Sequence, residues 1–343
     1  MLLGGRATFP TAPPYSTRLP QLQRGVMAGP RRDPWLGYTG WRLRRHLHWL
    51  RSQGFARLVE EDELNPVDRI TKAAAKWRWR LTHRARPLGG TAVFLVGVQR
   101  SGTNMLVRGL ERSPEFAVYN ENHQAAFSRF RLRPDPVIRR LVEQSRHPYV
   151  LFKPLCDSHR TAELLDELGL RRSPRALWAY RSVDGRARSA VAKFGDVNLR
   201  VLRELANGGG RSRWEAQRLS PDSLQLIEGF DWDRMGPFDA AAVFWYVRNR
   251  LYFELDLAQR PDVLVVSYDA MVAQPKAEMA RICEFLGVAY DRRLIAHVKP
   301  RPARRGEVLQ LDPRIRDRCE ELTARLEAAR RETPAPVPGE VGQ

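Results

Sequence analysis

The chain has 343 residues, room for one large domain or two small ones, and its 43% hydrophobic content is ordinary for a globular protein. No run approaches the ~18 consecutive apolar residues of a membrane-spanning helix. The three scattered cysteines, Cys156, Cys283 and Cys319, make neither a disulfide framework nor a zinc-binding spacing, which suits a reducing compartment. The net charge of +19 favours anionic partners, without choosing between nucleic acid, a membrane surface and an anionic nucleotide.

Residues 1–34 are rich in Pro, Gly and Arg and show no periodicity, so they read as a disordered tail. They lack the continuous apolar stretch of a secretory signal, while an Arg-bearing, acid-poor start is compatible with an organelle transit segment. Met27 is an alternative start of translation, and a cytoplasmic location is the expectation. Residues 35–88 read as a basic, aromatic, helical extension. In residues 35–58, Trp35, Trp41, Leu47, Trp49 and Phe55 are interspersed with Arg42, Arg44, Arg45 and Arg51. This amphipathic pattern either makes peripheral contact with a membrane or packs its aromatic face on the main domain. A second helical piece, Asp68 to Thr82, interleaves Lys76, Arg78 and Arg80 with Trp77 and Trp79. That pattern occurs in binders of single-stranded nucleic acid, but a solvated helix edge is the expectation here. Met1 to Gly90 holds 17 Lys and Arg against 6 Asp and Glu, so more than half of the excess charge precedes residue 91.

The run Thr91 to Val98 is apolar, β-branched and too short for a typical helix, which reads as a buried strand of a parallel sheet. Gln99, Arg100, Ser101, Gly102 and Thr103 form a turn, and Asn104 to Arg112 continues as a helix with Leu106 and Leu110 on one face. A helix that starts just after such a loop points unpaired N–H groups and its positive dipole end into the crevice above the strand, an anion site built from backbone. The loop departs from the triphosphatase pattern G-x-x-x-x-G-K-[ST], because Thr103 follows Gly102 and the cation, Arg100, comes before.

Further strands are expected at Glu115 to Tyr119, Tyr149 to Pro154, Ala176 to Tyr180 and Val263 to Tyr268. The first ends in Asn120-Glu121-Asn122-His123, the second delivers Lys153, and the third ends on Arg181. Helices are expected over Arg131 to Ser145, from His159 to Leu168 with Gly169 at its end, over the segment that Asp184 N-caps, over Val201 to Ala206, Phe238 to Leu257, Pro275 to Gly287 and Asp312 to Arg330. Gly208 to Arg213 reads as a mobile insertion. The aromatic stripe of 238–257 reads as core. A basic loop at 299–306 precedes the last helix, and 333–343 is a disordered tail. The alternation of strands and helices predicts an α/β domain over 89–332, a three-layer, mostly parallel sheet with helices on both faces, following the extra basic helical N-terminal segment.

The Arg100-Ser101-Gly102-Thr103 loop resembles that of the sulfotransferases that use 3′-phosphoadenosine 5′-phosphosulfate. A second strand-turn-helix strengthens the likeness: Arg181 at a strand end, Ser189 eight residues on, then Lys193-Phe194-Gly195. Tyr268-Asp269-x-Met271, Pro275 and Phe285-Leu286-Gly287 are similar to the last strand and helix of that family, and Arg304-Arg305-Gly306, less closely, to its C-terminal cofactor loop. The likeness covers about residues 90–330 and not 1–88. It implies a P-loop-like phosphosulfate-binding loop at Gln99 to Asn104, a 3′-phosphate site at Arg181 and Ser189, and further cofactor contacts at Arg304, Arg305 and Gly306.

The implied reaction is in-line sulfuryl transfer from this donor to an acceptor hydroxyl or amine, on a carbohydrate, a lipid or a small metabolite, with no metal and no nucleic-acid partner. Arg100 and Lys153 are then the candidates to neutralise charge on the reacting oxygens. Glu121 is the first candidate for general base and His123 the second. Segments 122–147 and 196–240 are expected to line the acceptor side. Three alternatives stay open on the residues alone: a P-loop-like kinase, a non-enzymatic nucleic-acid or membrane binder that uses the basic N-terminal region, and a sulfotransferase fold without activity.

Overall fold

The computed structural model describes residues 66–83, 88–300 and 308–332. The expected tails, the 35–58 helix and the loop carrying Arg304, Arg305 and Gly306 lie outside the described residues. The chain divides into two compact units, Met1–Arg69 and Ile70–Gln343, and the account below concerns the second.

Helix α1 (Pro66–Thr82) is tied to the body by Lys72, which donates to Glu111 at 2.7 Å, and by Arg80, which donates to His147 Nε2 at 3.0 Å. The body itself is a five-stranded parallel sheet. Its strands are β1 (Thr91–Gly97), β2 (Phe116–Tyr119), β5 (Tyr149–Phe152), β6 (Arg175–Tyr180) and β7 (Val263–Ser267), in the spatial order β2-β5-β1-β6-β7. The chain runs outward from β1 to the β2 edge, returns through β5, and crosses β1 to reach β6. The carboxyl end of β1 is therefore a topological switch point, the place where open α/β sheets hold ligands.

Alternation along β1 explains why the sheet needs cover on both sides. Ala92, Phe94 and Val96 join one core with α3 (Asp135–Glu143), α4 (Thr161–Asp166), α6 (Val197–Ala206), α8 (Pro237–Glu254) and α11 (Pro313–Glu332). Val93 and Leu95 join the other, with α2 (Thr103–Leu110), α9 (Tyr268–Ala273) and α10 (Pro275–Leu286). The three-layer architecture is the one expected. Phe244, Trp245, Tyr246 and Tyr252 of α8 are buried, as its aromatic stripe indicated, and all three cysteines are buried free thiols.

Several local expectations need correction. The helix expected from Arg131 begins at Asp135, because Phe127–Ser128 (β3) and Arg131–Leu132 (β4) pair as a small antiparallel ribbon. Residues 155–160 form a 3-10 turn before α4. Helix α5 (Val183–Phe194) has Ser182 at its N-cap, so Asp184 lies inside the first turn. The Asp184 carboxylate instead accepts from the Leu309 N–H and from Arg316, and these bonds pull its pKa below the usual carboxylate range against the cost of burial. Gly208 to Arg213 is a hydrogen-bonded turn: Gly209 N–H donates to Glu204 C=O, and Arg213 reaches both Glu204 and Glu215. Helix α7 (Pro221–Glu228) and the short α9 had no periodicity long enough to be read.

Candidate active site

The end of β1 and the loop that leads to α2 require positive φ at three positions: Gly97 (φ 117°), Arg100 (φ 73°) and Gly102 (φ 80°). Two of these are glycines for steric reasons as well. A Cβ on Gly97 would lie 2.2 Å from the Ala179 carbonyl oxygen of β6, and one on Gly102 would lie 2.1 Å from Cδ2 of Tyr268. Arg100 is not glycine, so its left-handed conformation has a real cost and is held by its surroundings. Ser158 supports the start of the loop, with Oγ accepting from Gly97 N–H at 3.0 Å and lying 2.9 Å from the Gly97 carbonyl.

Helix α2 begins at Thr103 with Gly102 as N-cap and no side chain capping it, which leaves its first amides to the crevice. Ser101 is 1% exposed, yet its Oγ finds no hydrogen-bond partner among the described residues. A buried hydroxyl without a partner is costly unless something else accepts its proton. An orphan hydroxyl, uncapped amides and a backbone cradle that a single Cβ would fill together fit an oxyanion group.

The second strand-turn-helix lies beside the first. Arg100 Nε donates to Ser189 Oγ at 3.0 Å, so the loop cation and the α5 serine meet directly. Arg181, which follows β6, stacks its guanidinium 4.3 Å from the centre of the Tyr268 ring. The same ring lies against Gly102, so Tyr268 stands between the two turns. Asp269 accepts from the Ser182 N–H at 2.7 Å and fixes the entry to α5.

The candidate chemistry sits across the loop. Lys153, 7% exposed, donates to Asn104 Oδ1 at 2.6 Å and faces Glu121 Oε2 at 3.3 Å. Burial raises the Glu121 pKa above the ordinary carboxylate value, and Lys153 only partly offsets this. A raised carboxyl is a better proton acceptor near neutral pH than a solvated one. His123 is exposed, with its ring edge on Tyr119 at 4.8 Å. Its Nδ1 accepts from the Ala125 N–H at 3.3 Å, and burial of part of the ring lowers its pKa.

The structure therefore brings together Gln99 to Asn104, Lys153 and Glu121 on one side, and Arg100, Ser189, Arg181 and Tyr268 on the other. A groove of about 740 Å³ runs beside β2, lined by Trp77, Arg80, Tyr119, Arg146 and His147 among others. It draws on residues of 122–147 but on none of 196–240. Sequence reasoning missed Ser158, Tyr268 as a packing element, and Arg186, whose contacts are 12 to 87 positions away along the chain. Among the described residues no group of three His, Cys, Asp or Glu side chains is arranged to hold a metal ion.

The family model for the sulfotransferase domain matches residues 90–301, more than half of the chain. The chain belongs to the sulfotransferase family. Among solved structures it is similar to the sulfotransferase domain of the curacin biosynthetic pathway, with 14% identity over 70% of this chain and 98% of that one, and a TM-score of 0.41. It is also similar to the sulfotransferase domain of the Synechococcus PCC 7002 olefin synthase, with 14% identity over 75% of this chain and 92% of that one, and a TM-score of 0.31. No curated protein sequence matches it. The family membership supports a transferase of sulfuryl groups.

Proposed function

We propose that the sulfuryl donor is 3′-phosphoadenosine 5′-phosphosulfate and that the acceptor is a hydroxyl or an amine. The observation that supports this reading is the 3.0 Å contact between Arg100 and Ser189, which joins the two strand-turn-helix units proposed to bind anions. One corner is built from backbone at Ser101 to Asn104 and suits a phosphosulfate. The other is built from the side chains of Arg181 and Ser189 and suits the lone phosphate at the far end of the same nucleotide. Arg304, Arg305 and Gly306 are proposed to add contacts from the C-terminal loop. A triphosphate-dependent kinase is disfavoured, because the P-loop lysine position is taken by Thr103, which is buried in α2.

In this reading Glu121 accepts the proton of the attacking hydroxyl or amine. The new bond forms between that atom and sulfur as the bond from sulfur to the 5′-phosphate oxygen breaks, which releases adenosine 3′,5′-bisphosphate. Arg100, Lys153 and the amides of Ser101 to Asn104 hold the charge that develops on the departing oxygen. Such preorganised donors are worth ~3 kcal/mol each in mutational tests of comparable sites. Asn104 and Glu121 together fix the Lys153 ammonium, so it needs little reorganisation as the bond breaks. His123 is the second candidate for the base, but its exposure leaves it less able to hold a fixed geometry.

The test is calorimetric titration with adenosine 3′,5′-bisphosphate and adenosine 5′-monophosphate. The bisphosphate is expected to bind about 10- to 100-fold more tightly, and Arg181→Ala is expected to erase that preference. Equal affinity for the two nucleotides in the unaltered protein would overturn the donor assignment.

A further inference from the structure

Arg186 lies one turn into α5, where a single arginine in a helix reads as a solvated charge. It is 1% exposed. Its Nε donates to the Gln99 carbonyl at 3.2 Å, and its Nη1 donates to Asn198 Oδ1 at 3.2 Å and to the Ala241 carbonyl at 2.8 Å. The Phe244 ring centre is 5.0 Å from Cζ. Every one of these partners is neutral, although buried arginines ordinarily sit against a carboxylate. The charged group that bears on it is Arg100, of the same sign. Burial, with that repulsion added, presses its pKa down to about 9. The protein thus maintains a desolvated positive charge behind its donor loop, and an anion seated in the loop relieves it.

The bond to Gln99 also has a geometric effect. A trans peptide is planar, with its C=O and N–H pointing in opposite directions. The Gln99 carbonyl is turned toward the interior by Arg186, so the Arg100 N–H of the same peptide is turned away from it. This is the peptide that precedes the left-handed φ of 73° at Arg100. We infer that Arg186 is the positioning residue of the donor loop: it locks the Gln99–Arg100 peptide with its N–H toward the 5′ anion, and its charge adds to the attraction for that anion. The inference rests on the donor reading above and extends it to a residue that touches no ligand.

On the donor reading the loop backbone faces the 5′ end of the nucleotide, while the Arg100 side chain reaches Ser189 of the 3′ corner, so the larger effect is expected at the 5′ end. Calorimetric titration of the unaltered protein, Arg186→Gln and Arg186→Lys with adenosine 5′-monophosphate, adenosine 3′-monophosphate and adenosine 3′,5′-bisphosphate separates the outcomes. Arg186→Gln is expected to weaken both 5′-bearing nucleotides about tenfold or more, while adenosine 3′-monophosphate stays within about twofold. Arg186→Lys keeps a charge but cannot fork to three acceptors, and is expected to recover part of the loss. Guanidinium ion added to Arg186→Ala is expected to restore 5′ affinity. Equal losses for the two monophosphates in a variant with native circular dichroism would make Arg186 merely structural and overturn the inference, as would unchanged 5′ affinity. Should Arg186→Gln not fold, the contrast between the monophosphates in Arg186→Lys decides in the same way. An unaltered protein indifferent to all three nucleotides would instead overturn the donor reading, on which the inference depends.

Discussion

The two strand-turn-helix units at the crevice, proposed to hold the two ends of the donor, are built by opposite means. The turn after β1 is made of backbone. Counting Gly97 at the strand end, it has three residues with positive φ, an N-cap with no side-chain bond and a helix start left open. The turn after β6 has ordinary dihedrals, with Ser182 in extended conformation and its N–H bonded to Asp269, and it presents side chains, Arg181 and Ser189. The first unit is therefore sensitive to added atoms and the second to removed ones. A charge spread over a transferring group needs a surrounding cradle, whereas a lone terminal phosphate needs only a fork and a hydroxyl.

The sharpest way to break the comparison is to place an alanine in each turn. Gly97→Ala drives a Cβ into the Ala179 carbonyl at a positive φ and is expected to cost about 3 kcal/mol or more, read as a lowered thermal midpoint. Ser182→Ala, in ordinary backbone with no side-chain cap bond, is expected to cost less than about 0.5 kcal/mol. Similar losses at the two positions would end the distinction.

Next in size is Arg100→Ala. Loss of the loop cation is expected to lower turnover about 100- to 1000-fold in a donor-consumption assay, while the melting temperature moves by only a few degrees. A folding defect that matched the activity loss would show the residue to be structural. Smaller still is Ser189→Ala on the second unit, expected to weaken the bisphosphate about 5- to 20-fold and to leave adenosine 5′-monophosphate nearly unaffected.

The pH dependence is the finest of these tests. Glu121 has a folded pKa raised above its ordinary value. The proposed base is therefore lost as pH falls through that raised value, and the acid limb of the rate profile is expected to lie above the normal carboxylate range. Glu121→Gln should abolish turnover at saturating acceptor, whereas His123→Ala should leave the limb in place. For stability the sign is reversed: a raised carboxyl favours the folded state at low pH, and that contribution disappears as pH rises through the folded pKa. The melting temperature of the unaltered protein relative to Glu121→Gln is accordingly expected to fall as pH rises through that range.

What was legible in the sequence was whatever repeats locally. The β1 run, the Arg100 to Thr103 turn, the Arg181 and Ser189 spacing and the α8 core stripe all declare themselves within a dozen residues. Asp184 was misread because an acidic residue near a helix start looks like a cap, whereas its partners, Leu309 and Arg316, lie 125 and 132 positions away. Arg186 was invisible for the same reason, since burial of a cation is decided by packing from α6 and α8. The two-residue strands β3 and β4 are too short to carry a period. Ser158 was passed over because nothing local separates a supporting serine from a solvated one.

Tyr268 has a consequence of its own. Its ring lies so close to Gly102 that an added Cβ would meet Cδ2 at 2.1 Å, and it carries the Arg181 guanidinium 4.3 Å from its centre. On the proposed function, this one ring touches the elements assigned to both ends of the donor. A bulkier ring at 268 is then expected to spread the two units and a small aliphatic side chain to let them approach, which would shift the preferred length of dianion through a side chain that need not bind either end.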